Sequence, residues 1–176
     1  MTEISEKDRC TLLARLFYSF RLSHLNQRYY AMRLTRLKRW NSLLSIVVMI
    51  ATAASFALLT FASFHGVTTV AAIIAVVGFL ASVVVPLLGL ERKIDDASSR
   101  TCAFHYAAQQ LESALRFVRN SEQNDGEMLG WTAAAEAAYY QAAALPDTEA
   151  EDRKLVKKVE GEINEAFPPS YVWLAF

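Results

Sequence analysis

"SLLSIVVMIATAASFALLTFASFHGVTTVAAIIAVVGFLASVVVPLLGL", residues 42–90, runs for 49 positions without a Lys, Arg, Asp or Glu. As a single helix it would extend about 73 Å at 1.5 Å per residue, more than twice the roughly 30 Å of bilayer hydrocarbon. The stretch must therefore turn. "SFHGVTT", residues 63–69, supplies a break around Gly66 and leaves two pieces, about 43–64 and 67–90. Each is close to the roughly 20 residues that a span requires. Lipid satisfies no backbone amide, so both pieces are predicted as helices in spite of their many Val and Ile residues.

Outward from this block the composition divides. The chain has 176 residues, 53% of them hydrophobic, and a formal net charge of zero. Residues 1–40 carry nine basic and three acidic side chains, whereas residues 91–176 carry nine basic and fifteen acidic ones. The zero is thus a cancellation of +6 against −6, which predicts that the two ends pair with each other and does not ask for a nucleic-acid partner. Cys10 and Cys102 lack metal-type spacing and read as buried, reduced thiols with no disulfide. "MTEISEKDRC" is polar and mixed in charge, unlike a cleavable leader.

Orientation follows from the flanks. Arg28, Arg33, Arg36, Lys38 and Arg39 precede the first span, Arg92 and Lys93 follow the second, and the turn carries no formal charge. Both termini are therefore expected on the cytoplasmic side of the membrane. Trp40 suits the interfacial aromatic belt, and Tyr29 and Tyr30 fit either that belt or a helical core. A soluble alternative buries the hairpin inside a shell of amphipathic helices until a trigger releases it, but few helices remain to wrap it.

At 100° per residue, Ser42, Ser45, Met49, Thr52, Phe56, Thr60 and Ser63 share one narrow face of the first span. Thr68, Ala71, Ala75, Gly78, Ser82, Pro86 and Gly89 share one face of the second, and nearly all are small, as close helix contact in lipid requires. Ala71, Ala75, Gly78 and Ser82 are assigned to helix packing. Ser45, Thr52, Thr60 and Ser63 are read either as a packing face with hydroxyls bonded to the preceding turn, or as the lining of an oligomeric pore. Two helices enclose no water path, so conduction needs several copies. No charge lies at membrane depth, which excludes a proton relay or voltage sensor.

Beyond the block, Ile94, Ala97, Thr101, Phe104, Ala108, Leu111, Leu115 and Val118 alternate at spacings of three and four, a heptad seam that would continue the second span. Phe104, Ala108, Leu111 and Leu115 are its centre. Leu13, Leu16, Phe20, Ser23, Gln27, Tyr30, Leu34 and Leu37 offer a matching seam, starting near Ser5 or Asp8, and hairpin geometry makes the two arms antiparallel. "NSEQNDGE" breaks the chain, and "EMLGWTAAAEAAYYQAAAL" forms a third helix ending at Pro146. A fourth starts at Asp147 or Thr148, with Glu151 completing a capping box, and shows Leu155, Val156, Val159, Ile163 and Phe167 at helical spacing. Pro168 and Pro169 stop it, leaving a short apolar tail. The fold class is all-α, a two-span transmembrane hairpin extended by a cytoplasmic helical bundle. Its parts are a basic amphipathic helix (1–40), the hairpin (41–90), acidic helices (91–167) and the tail (168–176).

No Gly-rich phosphate loop, CxxC, HExxH or GxSxG is present, and His105 with Glu112, seven apart, makes one face of a helix and not a catalytic set. The sequence points to no catalytic residue, cofactor or metal. The order of elements, with "ERKIDDASSRTCAFHYAAQQLESALRFVRN", the Trp-to-Tyr-Tyr helix and the closing "AFPPSY", resembles the SLATT family, the two-transmembrane effectors of bacterial conflict systems, over roughly residues 5–170. That resemblance implies a homo-oligomeric membrane effector that forms pores or disrupts the bilayer during antiphage defence. It further implies a partner such as a nucleotide-second-messenger synthase, a sensor protein or a reverse transcriptase. It supplies no active-site residues, and the chain shows no sensor domain. A non-enzymatic scaffold that recruits a cytoplasmic partner to the membrane is the reading from another class.

Overall fold

A computed structural model describes residues 6–65, 73, 76–78, 89–120, 125–147 and 150–168, without the side chains of Ser55, residues 58–65 and Asp125. The described residues hold helices and no strand: α1 (Glu6–His65), α2 (Leu90–Asn120), α3 (Asp125–Ala143) and α4 (Arg153–Ala166). Two compact units result, one of residues 1–32 with 97–176 and one of residues 33–96.

The first unit is a helical bundle. Arg9 donates from Nε to the Val118 carbonyl at 2.9 Å, Gln27 Nε2 meets His105 Nδ1 at 3.0 Å, and Arg100 Nη1 donates to the Tyr30 hydroxyl. Numbers rise along α1 as they fall along α2, the antiparallel pairing expected of the arms. Of the α2 seam, Ala97, Phe104, Ala108, Leu111, Leu115 and Val118 are buried, while Ile94 and Thr101 are half-buried. On α1, Leu16, Phe20, Ser23 and Tyr30 are buried as the spacing predicts, and Phe17, Ser19 and Tyr29 join them. The stripe is wider than a two-helix seam because α3 and α4 also pack on α1. Leu16, Phe17 and Phe20 meet Leu111, Leu115, Val118 and Met128 in one cluster, and Tyr29, Tyr30 and Phe104 meet Leu155, Val159 and Ile163 in a second. Tyr29 and Tyr30 thus belong to the core.

Several expectations are corrected. The seam helix does not continue an upstream helix without a break: Gly89 adopts φ +58°, a left-handed conformation that glycine takes without steric cost, and α2 begins at Leu90. The fourth helix starts at Arg153, not at Asp147 or Thr148. Asp152 is its cap, its Oδ1 accepting from the amides of Lys154 and Leu155 at 3.1 and 3.2 Å. Asp147 is used elsewhere, and Thr148 lies outside the described residues. Cys10 and Cys102 are free but exposed, since Cys102 sits one residue off the seam position Thr101 and Cys10 follows Arg9, which turns toward α2. Phe167 closes α4 by donating its amide to the Ile163 carbonyl at 2.8 Å, ahead of Pro168. Residues 63–65, expected in the turn, are still helical at the end of α1, while the tail beyond Pro168, the rest of the turn (66–69) and the helix start at Ser5 lie outside the described residues.

Among the described residues no helix is long and apolar enough to cross a membrane. Within the uncharged block the unbroken run of described side chains is residues 42–54, shorter than the roughly 20 that a span needs. The first expected span, 43–64, is helical throughout as part of α1, and of the second, 67–90, residues 73, 76–78, 89 and 90 are described. What the structure supports is the all-α class and the helical bundle.

Candidate functional site

Two features of the described residues have functional character, one in each unit. In the second, α1 is sheathed in exposed apolar side chains: Leu43, Val47, Met49 and Ile50, with Phe56 73% exposed. A half-buried stripe, Asn41, Leu44, Val48, Ala51 and Ala54, recurs at helical spacing beside them. Sequence reasoning had singled out a different face. Ser45 and Thr52 are both exposed and border that stripe, each about 40° around the helix from a member of it (Asn41 and Val48), so they lie at the edge of the covered face and not within it. Their hydroxyls donate to the carbonyls of Asn41 and Val48, at 2.9 and 2.8 Å, as Ser and Thr do in an apolar helix. The side chains of Thr60 and Ser63 are undescribed. Of the second-span packing set, Gly78 is helical and buried, whereas Ala71, Ala75 and Ser82 lie outside the described residues.

In the bundle, a polar node that the helical periodicity does not reveal is built on the α2 seam. The Arg100 side chain is 8% exposed and forms an ion pair with Asp147 Oδ2 at 3.3 Å, where Asp147 is 36% exposed. Its Nη2 donates to the Leu145 carbonyl at 2.8 Å, and its guanidinium lies over the Tyr30 ring with Cζ 4.9 Å from the centroid. The Tyr30 hydroxyl accepts from Arg100 Nη1 and donates to Asp147 Oδ2 at 2.7 Å. One residue earlier, the Tyr29 hydroxyl accepts from the Asp152 amide at 3.1 Å. Two adjacent tyrosines and one arginine therefore fasten both ends of the segment between α3 and α4. Burial pushes the Tyr30 phenol up to about 12, reinforced by its hydrogen bond to Asp147 and opposed by Arg100.

His24 is held between rings, with centroids 4.5 Å from Phe20 and 4.9 Å from Phe167. Burial lowers its pKa, Glu112 opposes the shift, and His105 adds to it. His105 bonds Gln27 and Gln109, and Glu112 pairs with Arg116 at 2.5 Å, so the two residues seven apart have separate partners. The two oppositely charged ends do meet: Arg15 pairs with Glu136, Arg28 with Glu162 at 3.2 Å, and Arg21 donates to Asn164. No group of three or more His, Cys, Asp or Glu side chains gathers among the described residues in a way that could hold a metal ion.

No family model, curated protein or solved structure matches the chain.

Proposed function

We propose that the chain is a non-enzymatic membrane effector. Its uncharged hairpin, residues 42–90, inserts into a bacterial inner membrane with both termini cytoplasmic, and several copies together permeabilise the bilayer. The carrying observation is the exposure of Leu43, Val47, Met49, Ile50 and Phe56 around α1, within a block that contains no charged residue. Apolar surface left in water costs roughly 25 cal/mol per Å², so a helix bare on this many sides calls for lipid or further copies of itself as its cover. The helical bundle is the part that receives a signal, and the family likeness suggests its source: a second-messenger synthase, a sensor protein or a reverse transcriptase in a conflict system.

Ser45 and Thr52 are the candidate water-facing positions, supported by their exposure beside the half-buried stripe. The backbone bonds of their hydroxyls favour a second reading, a scaffold that anchors the bundle to the membrane without conducting. Expression in bacterial cells with a potential-sensitive dye separates the two. The effector depolarises cells once its trigger is present, and Ser45→Ala with Thr52→Val reduces this while leaving membrane fractionation and crosslinked oligomers intact. Stable membrane insertion without depolarisation, trigger included, refutes the pore and leaves the scaffold. Recovery of the protein in the soluble fraction refutes both.

A further inference from the structure

Six basic residues of α1, Arg9, Arg15, Arg21, Arg28, Lys38 and Arg39, differ in their surroundings. Arg9, Arg15, Arg21 and Arg28 each have a partner in the C-terminal half: the carbonyls of Val118 and Arg119, the Glu136 carboxylate, the Asn164 amide oxygen and the Glu162 carboxylate. Lys38 and Arg39 are exposed and bond to nothing among the described residues, and the same is true of Arg92 after the uncharged block. Arg33 and Arg36 precede them, so four cations occupy residues 33–39 with no carboxylate among them, and Trp40 follows, 57% exposed.

The angular arrangement identifies the partner. At 100° per residue, Arg33, Arg36, Lys38 and Arg39 are spread around the whole circumference of α1 and do not form one stripe. A protein groove or a nucleic-acid duplex engages one side of a helix. A collar of cations, immediately followed by an exposed indole and then by an uncharged apolar helix, matches the layered surface of a bilayer: phosphate, interface, hydrocarbon.

We infer that residues 33–40, with Arg92, form an anionic-phospholipid recognition collar, whose ligand is the lipid phosphate at the membrane surface and which fixes the depth of α1. This rests on the membrane reading above and adds to it a requirement for lipid charge. Near such a surface each cation strengthens association about fivefold, and the effect falls off within a Debye length, so it is lost in high salt.

The test reconstitutes the detergent-purified full chain into vesicles of phosphatidylcholine alone, or of phosphatidylcholine mixed with phosphatidylglycerol, and measures partitioning by flotation before and after carbonate extraction. The inference expects insertion into both and a strong, salt-sensitive preference for the anionic mixture. That preference falls about a hundredfold in Lys38→Gln/Arg39→Gln/Arg92→Gln and is unchanged in Arg15→Gln, whose charge is already paired with Glu136. Carbonate-resistant insertion that is equal in both mixtures overturns the collar and leaves the membrane reading standing. Salt-sensitive binding to anionic vesicles that carbonate removes keeps the collar and overturns the span. Failure to bind either vesicle overturns both. Binding of a short DNA or RNA duplex with the same loss in the triple variant, and no lipid preference, assigns the cations to nucleic acid and overturns the inference.

Discussion

Asp147→Asn changes one charge and almost no volume, and it strands a cation. In the native bundle the Arg100 guanidinium, 8% exposed, has Asp147 as its carboxylate, with Leu145 O and the Tyr30 hydroxyl as neutral partners. Removing one member of a buried ion pair costs about 3–5 kcal/mol. Asp147 is itself 36% exposed, so water already screens the pair, and the neutral partners remain; about 2–3 kcal/mol is the reasoned loss. For a unit of roughly a hundred residues this lowers the melting temperature by about 10–20 °C. Arg100→Met alone should cost a similar amount by leaving the Leu145 carbonyl unsatisfied. The double variant should cost less than the sum by about 1–3 kcal/mol, because it no longer contains an unpaired charge. Thermal melts followed by far-ultraviolet circular dichroism in detergent give the totals. Hydrogen exchange at the Asp152 amide, bonded to the Tyr29 hydroxyl, reports whether the α3–α4 segment loosens first. Additive single effects, or shifts within two or three degrees of the parent, would refute the node as a coupled buried unit.

Leu111 is fully buried at the centre of the seam, so Leu111→Ala should cost about 3 kcal/mol through the cavity it leaves, read from the same melts, and Leu111→Asp should prevent the bundle from closing. The folded-state pKa of His24 is depressed below 6.5, so the unfolded chain takes up the proton first. Stability should hold above pH 6.5 and decline as pH falls through the lowered value, a slope that His24→Phe should flatten. Tyr30 shows the opposite sign, with a pKa raised from 10.0 to about 12, so its contribution is present below pH 10 and is lost as pH rises toward 12. Ultraviolet titration should find one phenol ionising that late, absent in Tyr30→Phe. Asp152→Ala should remove the α4 cap at a cost of about 1 kcal/mol, measurable as faster exchange at Lys154 and Leu155.

The seam was legible because burial in a helix repeats: Phe104, Ala108, Leu111 and Leu115 announce themselves by spacing and are all buried. The node was not, because Tyr30 and Asp147 are 117 positions apart and no period connects them. One signal was present. Arg100 lies on the same face as Ala97, Phe104 and Leu111, and a guanidinium on an apolar face needs a carboxylate brought to it. Asp147 also misled, since an acidic residue after Pro146 resembles a helix cap, and only the folded chain shows its carboxylate turned to Arg100 while Asp152 does the capping. On α1 beyond the bundle, the hydroxyl pattern drew attention to Ser45 and Thr52. The half-buried face is instead the plain set Leu44, Val48, Ala51 and Ala54, which composition does not distinguish from its neighbours.

The division of charge into +6 and −6 ends has a use that pair energies alone do not explain. Arg15–Glu136 and Arg28–Glu162 have exposed or half-exposed side chains, and such pairs contribute about 0–1 kcal/mol each. Burial of Leu16, Phe20, Leu111 and Val118 is worth several times that per side chain and dominates the fold's stability. Apolar burial, however, is indifferent to direction: a Leu-Phe-Ala stripe packs nearly as well against a neighbour shifted by a turn or reversed. The charges are not indifferent. Arg15 finds its carboxylate on α3, Arg28 on α4, and Arg9 finds the last carbonyls of α2, where the helix dipole favours a cation. Each helix of the C-terminal half is thus addressed by a different arginine of α1, and a reversed or shifted helix would bring like charges together or leave arginines without partners.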